Sequence, residues 1–178
     1  PHRGHYHVNF LSLWLVRPRL HYAAGVSYFS PMNIEVKAFP GLSADEVHAL
    51  YKLRTAIFVV EQECAYQEVD DHDLVSHHLL GYENDALIAC ARICPPHTVY
   101  AQASIGRIAV KESFRRTGFG EQLFAVSLGK CQELYPHQPV KLQAQVYLEN
   151  FYKSFGFKTI SAPYPDFGIM HVDMMLTQ

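Results

Sequence analysis

The sequence predicts an α+β fold, a mixed sheet of about seven strands with helices on both faces. Three observations carry this. Two-residue alternation of apolar and polar side chains gives way to helical spacing and returns several times along the chain. A capping box opens the first helical stretch, and Pro136 and Gly156 follow the ends of the later two. A length of 178 residues with 49% apolar and 18% charged side chains suits one domain with a sizeable core and excludes a disordered chain.

From Asn33 to Phe39, Ile34, Val36 and Ala38 alternate with Glu35 and Lys37, a strand that Pro40-Gly41 breaks. Ser43-Ala44-Asp45-Glu46 is a capping box, and Val47, Leu50, Tyr51, Arg54, Ile57 and Phe58 follow at helical spacing. Residues 61–76 lose periodicity and read as a loop. His77–Glu83 and Ala86–Cys94 flank Asn84-Asp85, a hairpin signal. Ser104–Val110 is the next strand, and a helix spans about Gly120 to Tyr135. Val140–Val146 is a strand, Leu148–Phe155 a short helix ended by Gly156, and Phe157–Ile160 and Met170–Leu176 close the domain as strands.

Lys and Arg number 15 against 17 for Asp and Glu, so no overall basic field exists to grip nucleic acid. No apolar run approaches the ~20 residues of a membrane span. The four cysteines form no CxxC pair, which fits a reducing, cytoplasmic compartment. Residues 1–31 hold three arginines and no acid, whereas residues 32–178 carry a net charge of −5. The apolar run Val8–Val16 precedes Arg17-Pro18-Arg19, the reverse of the order in a secretory signal. Residues 1–31 therefore read as an upstream extension or cloning remnant, with an organelle-targeting peptide as the alternative, and 32–178 as the functional domain.

Chemistry concentrates where a strand ending at Val110 runs into Arg115-Arg116-Thr117-Gly118-Phe119-Gly120 and a helix begins. Small residues let a backbone approach a ligand and take positive φ. The first-turn N–H groups of the helix lack internal partners and point outward with the positive end of the dipole. Such a turn cradles a pyrophosphate, with Arg115 and Arg116 adding charge. No Gly-Lys-Ser/Thr follows, so it is not a P-loop, and it lacks the full Gly-x-Gly-x-x-Gly dinucleotide fingerprint.

The run Ile105–Val110 before this turn and Ala144–Phe157 after it, with Phe151-Tyr152 and Gly156-Phe157, extend the pattern. In order and spacing these elements resemble the GNAT superfamily of acetyl-CoA-dependent N-acetyltransferases. The stretches Leu53–Gln62, Cys64–Asp70 and Gly168–His171 make the chain similar to the ElaA-type proteins within it. The resemblance implies a GNAT-like sheet and acetyl-CoA as cosubstrate. It implies Ile108 and Val110 as backbone partners of the pantetheine, and the amides of Arg115, Arg116, Thr117, Gly118, Phe119 and Gly120 as holders of the pyrophosphate. Asn150 would lie near the pantetheine and Tyr152 near the thioester sulfur. Many superfamily members carry Asn and Ala seven and four residues before the Tyr; here Gln145 and Leu148 stand there, as in the ElaA-type proteins.

Acyl transfer to an amine needs a neutral amine, a polarised carbonyl and a protected leaving thiolate. An amine of pKa ~10 requires a base, and a thiol of pKa ~8.5 leaves more easily beside a phenol donor. Tyr152 is the candidate acid and the Val110 N–H the candidate carbonyl polariser. Glu61 and His171 are the candidate bases, with His78 a further histidine in a strand-like run. Residues 61–73 hold six acids and no Lys or Arg, but lack the Gly and closing Glu of an EF-hand, so no metal is assigned. Arg54 is expected to pair with a loop carboxylate such as Glu61 or Asp70. The acidic stretch is expected to draw a cationic small molecule or a peptide amine to the site, with a homodimer as the candidate assembly. The other readings are a non-catalytic acyl-CoA-binding module and an acyl-homoserine-lactone-type synthase, the latter disfavoured by the Arg-x-x-Gly-x-Gly turn.

Overall fold

The computed structural model describes residues 32–177; the reading of residues 1–31 as an extension lies outside that range. Among the described residues eight strands form one sheet: β1 (Asn33–Ala38), β2 (His77–Glu83), β3 (Ala86–Cys94), β4 (Ala103–Val110), β5 (Val140–Gln145), β6 (Lys158–Thr159), β7 (Tyr164–Asp166) and β8 (Ile169–Leu176). Their spatial order is β1-β2-β3-β4-β5-β8-β6, with β7 also on β8. All pairings are antiparallel except β4 with β5. The eighth strand is β7, where Pro165 masks a three-residue run too short to show a period.

Three helices are α1 (Ala44–Arg54), α2 (Phe119–Leu134) and α3 (Glu149–Ser154). The capping box at α1 is complete: Glu46 N–H donates to Ser43 Oγ at 3.2 Å, and Ser43 N–H to Glu46 Oε2 at 2.8 Å. The expected helix then changes pitch, because Thr55–Glu61 is a π-helical segment. Its β-branched run, Thr55, Ile57, Val59 and Val60, favours departure from tight α packing. Inside the expected loop 61–76, residues Asp71–Val75 form a 3-10 turn. Asn84 and Asp85 both take positive φ, 49° and 61°, as a two-residue hairpin of mirror-image turn type requires.

The sheet separates two apolar clusters. On one face Leu50, Leu53 and Ile57 pack on Leu80, Cys90 and Ala109. On the other, α2 and α3 deliver Leu123, Phe124 and Tyr152 to Leu79, Ile105, Leu142 and Met174. Strand β3 lies between the two and is buried from Ile88 to Cys94, which explains an apolar run broken only by Arg92. Phe124 is the aromatic hub, with ring centroids 4.8 Å from Phe155 and 5.0 Å from Tyr152.

Two irregularities open the sheet. Arg107 and Ile108 together oppose Ala91, a β-bulge in β4 that places Arg107 at φ 51°. The parallel strands part company already before it: β4 and β5 pair only at Ala103↔Val140 and Ser104↔Lys141. The rest of β4 faces β5 across a gap.

Candidate active site

Lys111 N–H donates to Ile88 O at 2.8 Å, so the alternation of an antiparallel ladder turns the backbone of Val110 the other way, toward the gap. Counted from Ala103↔Val140 with the bulge residue allowed for, Val110 lies level with the end of β5. Ile108, one of the two bulge residues, lines the same edge.

At the end of β4 the chain makes the turn that the motif marks. Arg116 takes φ 60° and Gly118 φ 89°, and Gly118 is the residue before the first turn of α2. Thr117 Oγ1 donates to Phe114 O at 2.6 Å, and Phe119 is buried against Phe114, so both serve the shape of the turn. No side chain caps α2 at Gly118, which leaves the positive end of a 16-residue helix uncovered by a side chain. A Cβ at Gly118 would meet no protein atom within 4 Å, and one at Gly120 only Val110 Cγ2 at 3.9 Å. What these glycines keep clear is therefore space in front of the backbone, as a pyrophosphate cradle requires.

Tyr152 stands on α3, across the gap, and is 5% exposed. Burial, with a smaller contribution from Tyr147, raises its phenol above the ordinary value, so it stays protonated at any working pH. Its hydroxyl makes no hydrogen bond among the described residues. Asn150 is exposed on the first turn of the same helix. On the opposite face of the sheet, His171 of β8 sits directly across from Gln145 at the end of β5. Its Nδ1 lies 2.9 Å from Ile169 O; a carbonyl only accepts, so Nδ1 carries the proton and Nε2 is left as the basic nitrogen. Gln143 reaches over β8 to Asp166 at 2.9 Å, and Lys141 pairs with Asp173 at 2.7 Å, giving this face a polar floor.

Glu61 is elsewhere engaged. Both of its oxygens accept from Arg115, at 2.7 and 2.8 Å, and this bond holds its carboxyl below the usual range. The structure thus brings together a candidate base and a candidate cofactor residue that the sequence set apart.

The remaining acids form an assembly the sequence reading missed. Arg54, fully buried, donates to Glu68 Oε1 at 2.8 Å and Asp73 Oδ1 at 2.7 Å. Arg92 binds Asp73 at 2.7 Å and Asp70 at 2.6 Å. Arg107 completes the circuit, with NH2 3.2 Å from Asp70 Oδ2 and Nε 2.9 Å from Glu68 Oε1, the latter a charge contact misaligned for a hydrogen bond. Three arginines and three carboxylates alternate in a closed, neutral ring. Arg54 does pair with carboxylates of this stretch, but with Glu68 and Asp73; the two named as examples are held elsewhere, Glu61 at the end of the π segment by Arg115 and Asp70 by Arg92 and Arg107. The expected negative field of residues 61–73 is corrected with it, since four of its six acids are paired with arginine. The missed signal was three arginines inside apolar runs, at 54, 92 and 107, matched by acids crowded into 68–73. The ring also grips Arg107 at the bulge, and so bears directly on the gap.

Comparison with known proteins agrees with this architecture. Residues 42–178 match the family described as Acetyltransferase (GNAT) domain. Protein ElaA of Escherichia coli K12 is 43% identical over 135 residues, covering 75% of this chain and 88% of that protein. A UPF0039 protein of Schizosaccharomyces pombe is 39% identical over 149 residues, covering 83% and 98%. The crystal structure of E. coli ElaA superposes with a TM-score of 0.77 at 39% identity, covering 81% of this chain and 98% of that one. An acyl-CoA N-acyltransferase from Pseudomonas aeruginosa gives 0.77 at 36%, with the same coverage. With the split sheet, the glycine turn and these relatives in agreement, the chain belongs to the GNAT acetyltransferase family, in its ElaA-type branch, and is an acyl-CoA-dependent acyltransferase.

Proposed function

We propose that residues 32–178 form an N-acetyltransferase domain that moves the acetyl group of acetyl-CoA to an amine by direct attack. The observation that carries this is the gap between β4 and β5, closed at one end by the glycine turn and flanked by Tyr152 and His171 on opposite faces. The cosubstrate supplies the activated thioester. Its pyrophosphate would rest on the amides of Arg115–Gly120, and its pantetheine arm along Ile108 and Val110, with Asn150 beside it.

The Val110 N–H faces the gap and is the donor suited to polarise the acetyl carbonyl. Tyr152, buried and protonated, donates toward the leaving sulfur; with its acidity lowered by burial, it acts chiefly through that hydrogen bond. His171 Nε2 is the better base, directly or through one water. Glu61 is the weaker one, because its bond to Arg115 belongs to the turn proposed for the pyrophosphate rather than to the thioester end. An ammonium of pKa ~10 loses its proton more readily as pH rises, so activity climbs toward alkaline pH.

A net −5 over residues 32–178 supports a cationic small molecule or a peptide amine as acceptor. Within 61–73 the exposed acids free of an arginine are Glu63 and Asp71, and half-buried Asp166 stands at the polar floor. Four cysteines present as free, buried thiols support a cytoplasmic setting, and no described helix is long and apolar enough to cross a membrane. A homodimer remains part of this proposal, tested by light scattering.

The experiment is CoA release from acetyl-CoA against a panel of amines, with wild type and His171→Asn side by side. Turnover of cationic amines, lost by about a hundredfold or more in the variant, is the expected result. No turnover of any amine, or an unaffected His171→Asn, overturns the assignment.

A further inference from the structure

Arg115 stands at the entrance of the turn and is already fully engaged on one edge. Its Nε donates to Val110 O at 2.8 Å, and its NH1 and NH2 grip the two oxygens of Glu61 at 2.7 and 2.8 Å. This is the two-pronged geometry that a guanidinium offers equally to a carboxylate or a phosphate. Both side chains are exposed, 38% and 39%, so a ligand arriving from solvent can exchange with the carboxylate. The bond from Arg115 to the Val110 carbonyl keeps the pair at the end of β4, on that lip of the gap.

We infer that Glu61 is an internal competitor for Arg115, displaced when a pyrophosphate-bearing cofactor binds, and that it thereby sets cofactor affinity without touching the reacting atoms. The inference rests on the reading that Arg115–Gly120 holds a pyrophosphate. Two forces act in the same direction. Glu61 occupies the hydrogen-bonding edge that the phosphate would use, and its charge repels a phosphate held beside it. A neutral amide at position 61 removes both. Glu61 is then a positioning residue acting through Arg115 rather than a catalytic one.

The test is calorimetric titration of the full chain with coenzyme A. Four proteins are compared at low and high salt: wild type, Glu61→Gln, Arg115→Gln and the double variant. The exposed pair makes Glu61→Gln safe for folding, which a melting curve verifies. Glu61→Gln should bind coenzyme A about threefold to fivefold more tightly, the range set by an exposed but two-pronged ion pair. The gain should shrink at high salt and vanish in the Arg115→Gln background, because the effect runs through that guanidinium. Unchanged or weaker binding by Glu61→Gln overturns the inference and shows that Glu61 holds Arg115 ready for the cofactor or does nothing. A gain that survives Arg115→Gln also overturns it, by assigning the effect to general charge. Gly118→Val separates the two levels. If it abolishes binding while Glu61→Gln is neutral, only the competitor is lost; if it leaves binding intact, the pyrophosphate reading fails and takes the competitor with it.

Discussion

Arg54 and Arg115 both hold carboxylates from the acidic stretch 61–73, yet the two clusters behave as opposites. Around Arg54, Glu68 and Asp73 are almost wholly buried and every charge is shared within a closed ring. Around Arg115, Glu61 is exposed and the pair is open to solvent on one side. Charges withdrawn from water are costly unless their partners stay in place, so the buried ring is fixed once the chain folds. An exposed pair contributes little and exchanges easily. The same residue types therefore serve as scaffold in one place and as an exchangeable contact in the other, and burial decides which.

The largest effect should come from breaking the ring. Arg54→Met leaves Glu68 and Asp73 short of a partner in the interior and should destabilise the fold by about 3–5 kcal/mol in urea unfolding. Arg115→Gln should cost under ~1 kcal/mol in the same unfolding measurement. Equal losses would erase the distinction. For the same reason, neutralising Glu68, Asp70 and Asp71 together should lower the melting temperature, where an acidic steering surface would have changed only the acceptor KM.

Next come the two lips of the gap. Tyr152→Phe removes a hydroxyl that no described residue binds, so melting should change little while kcat falls by about a hundredfold. Gly118→Val places a β-branched residue at φ 89°, which strains the turn by about 1–3 kcal/mol and should weaken coenzyme A binding at least tenfold, read by calorimetry. If coenzyme A binds that variant normally, the turn is only a connection.

Acid should expose the ring more gradually. Burial lowers the affinity of His77 and His78 for a proton. The unfolded chain then takes up protons that the folded one refuses, and stability should fall as pH drops below about 6.5. Burial alone would raise the Asp73 carboxyl, but Arg54 and Arg92 outweigh it and hold it below its ordinary value. Its contribution is complete above about pH 4 and lost as pH falls through the folded-state value. Unfolding followed against pH should show a plateau near neutrality, a shallow decline below about 6.5 and a steep one below about 4. A flat profile to pH 3 would contradict the ring's role.

The fold was legible where local rules act alone. The capping box at Ser43, the Asn84-Asp85 hairpin and the strand–turn–helix at Val110–Gly120 are written in adjacent residues and form as read. The ring was not, because its six members come from α1, β3, β4 and a loop, and only the folded sheet brings them together. Composition even pointed the wrong way, since an acidic run reads as a surface until its arginines are found. Nor was the gap written locally: nothing in β4 announces that Arg107 and Ile108 share one partner.

The central claim is that the parting of β4 and β5, with the turn at its end, is where the cofactor binds. Backbone amide NMR of the isotope-labelled chain, titrated with coenzyme A, tests it most directly. The largest shifts are expected at Gly118, Phe119 and Gly120, with Ile108, Val110 and Asn150 next, and little movement at Asp73 or along α1. Shifts centred on another surface, or none at saturating coenzyme A, would contradict it.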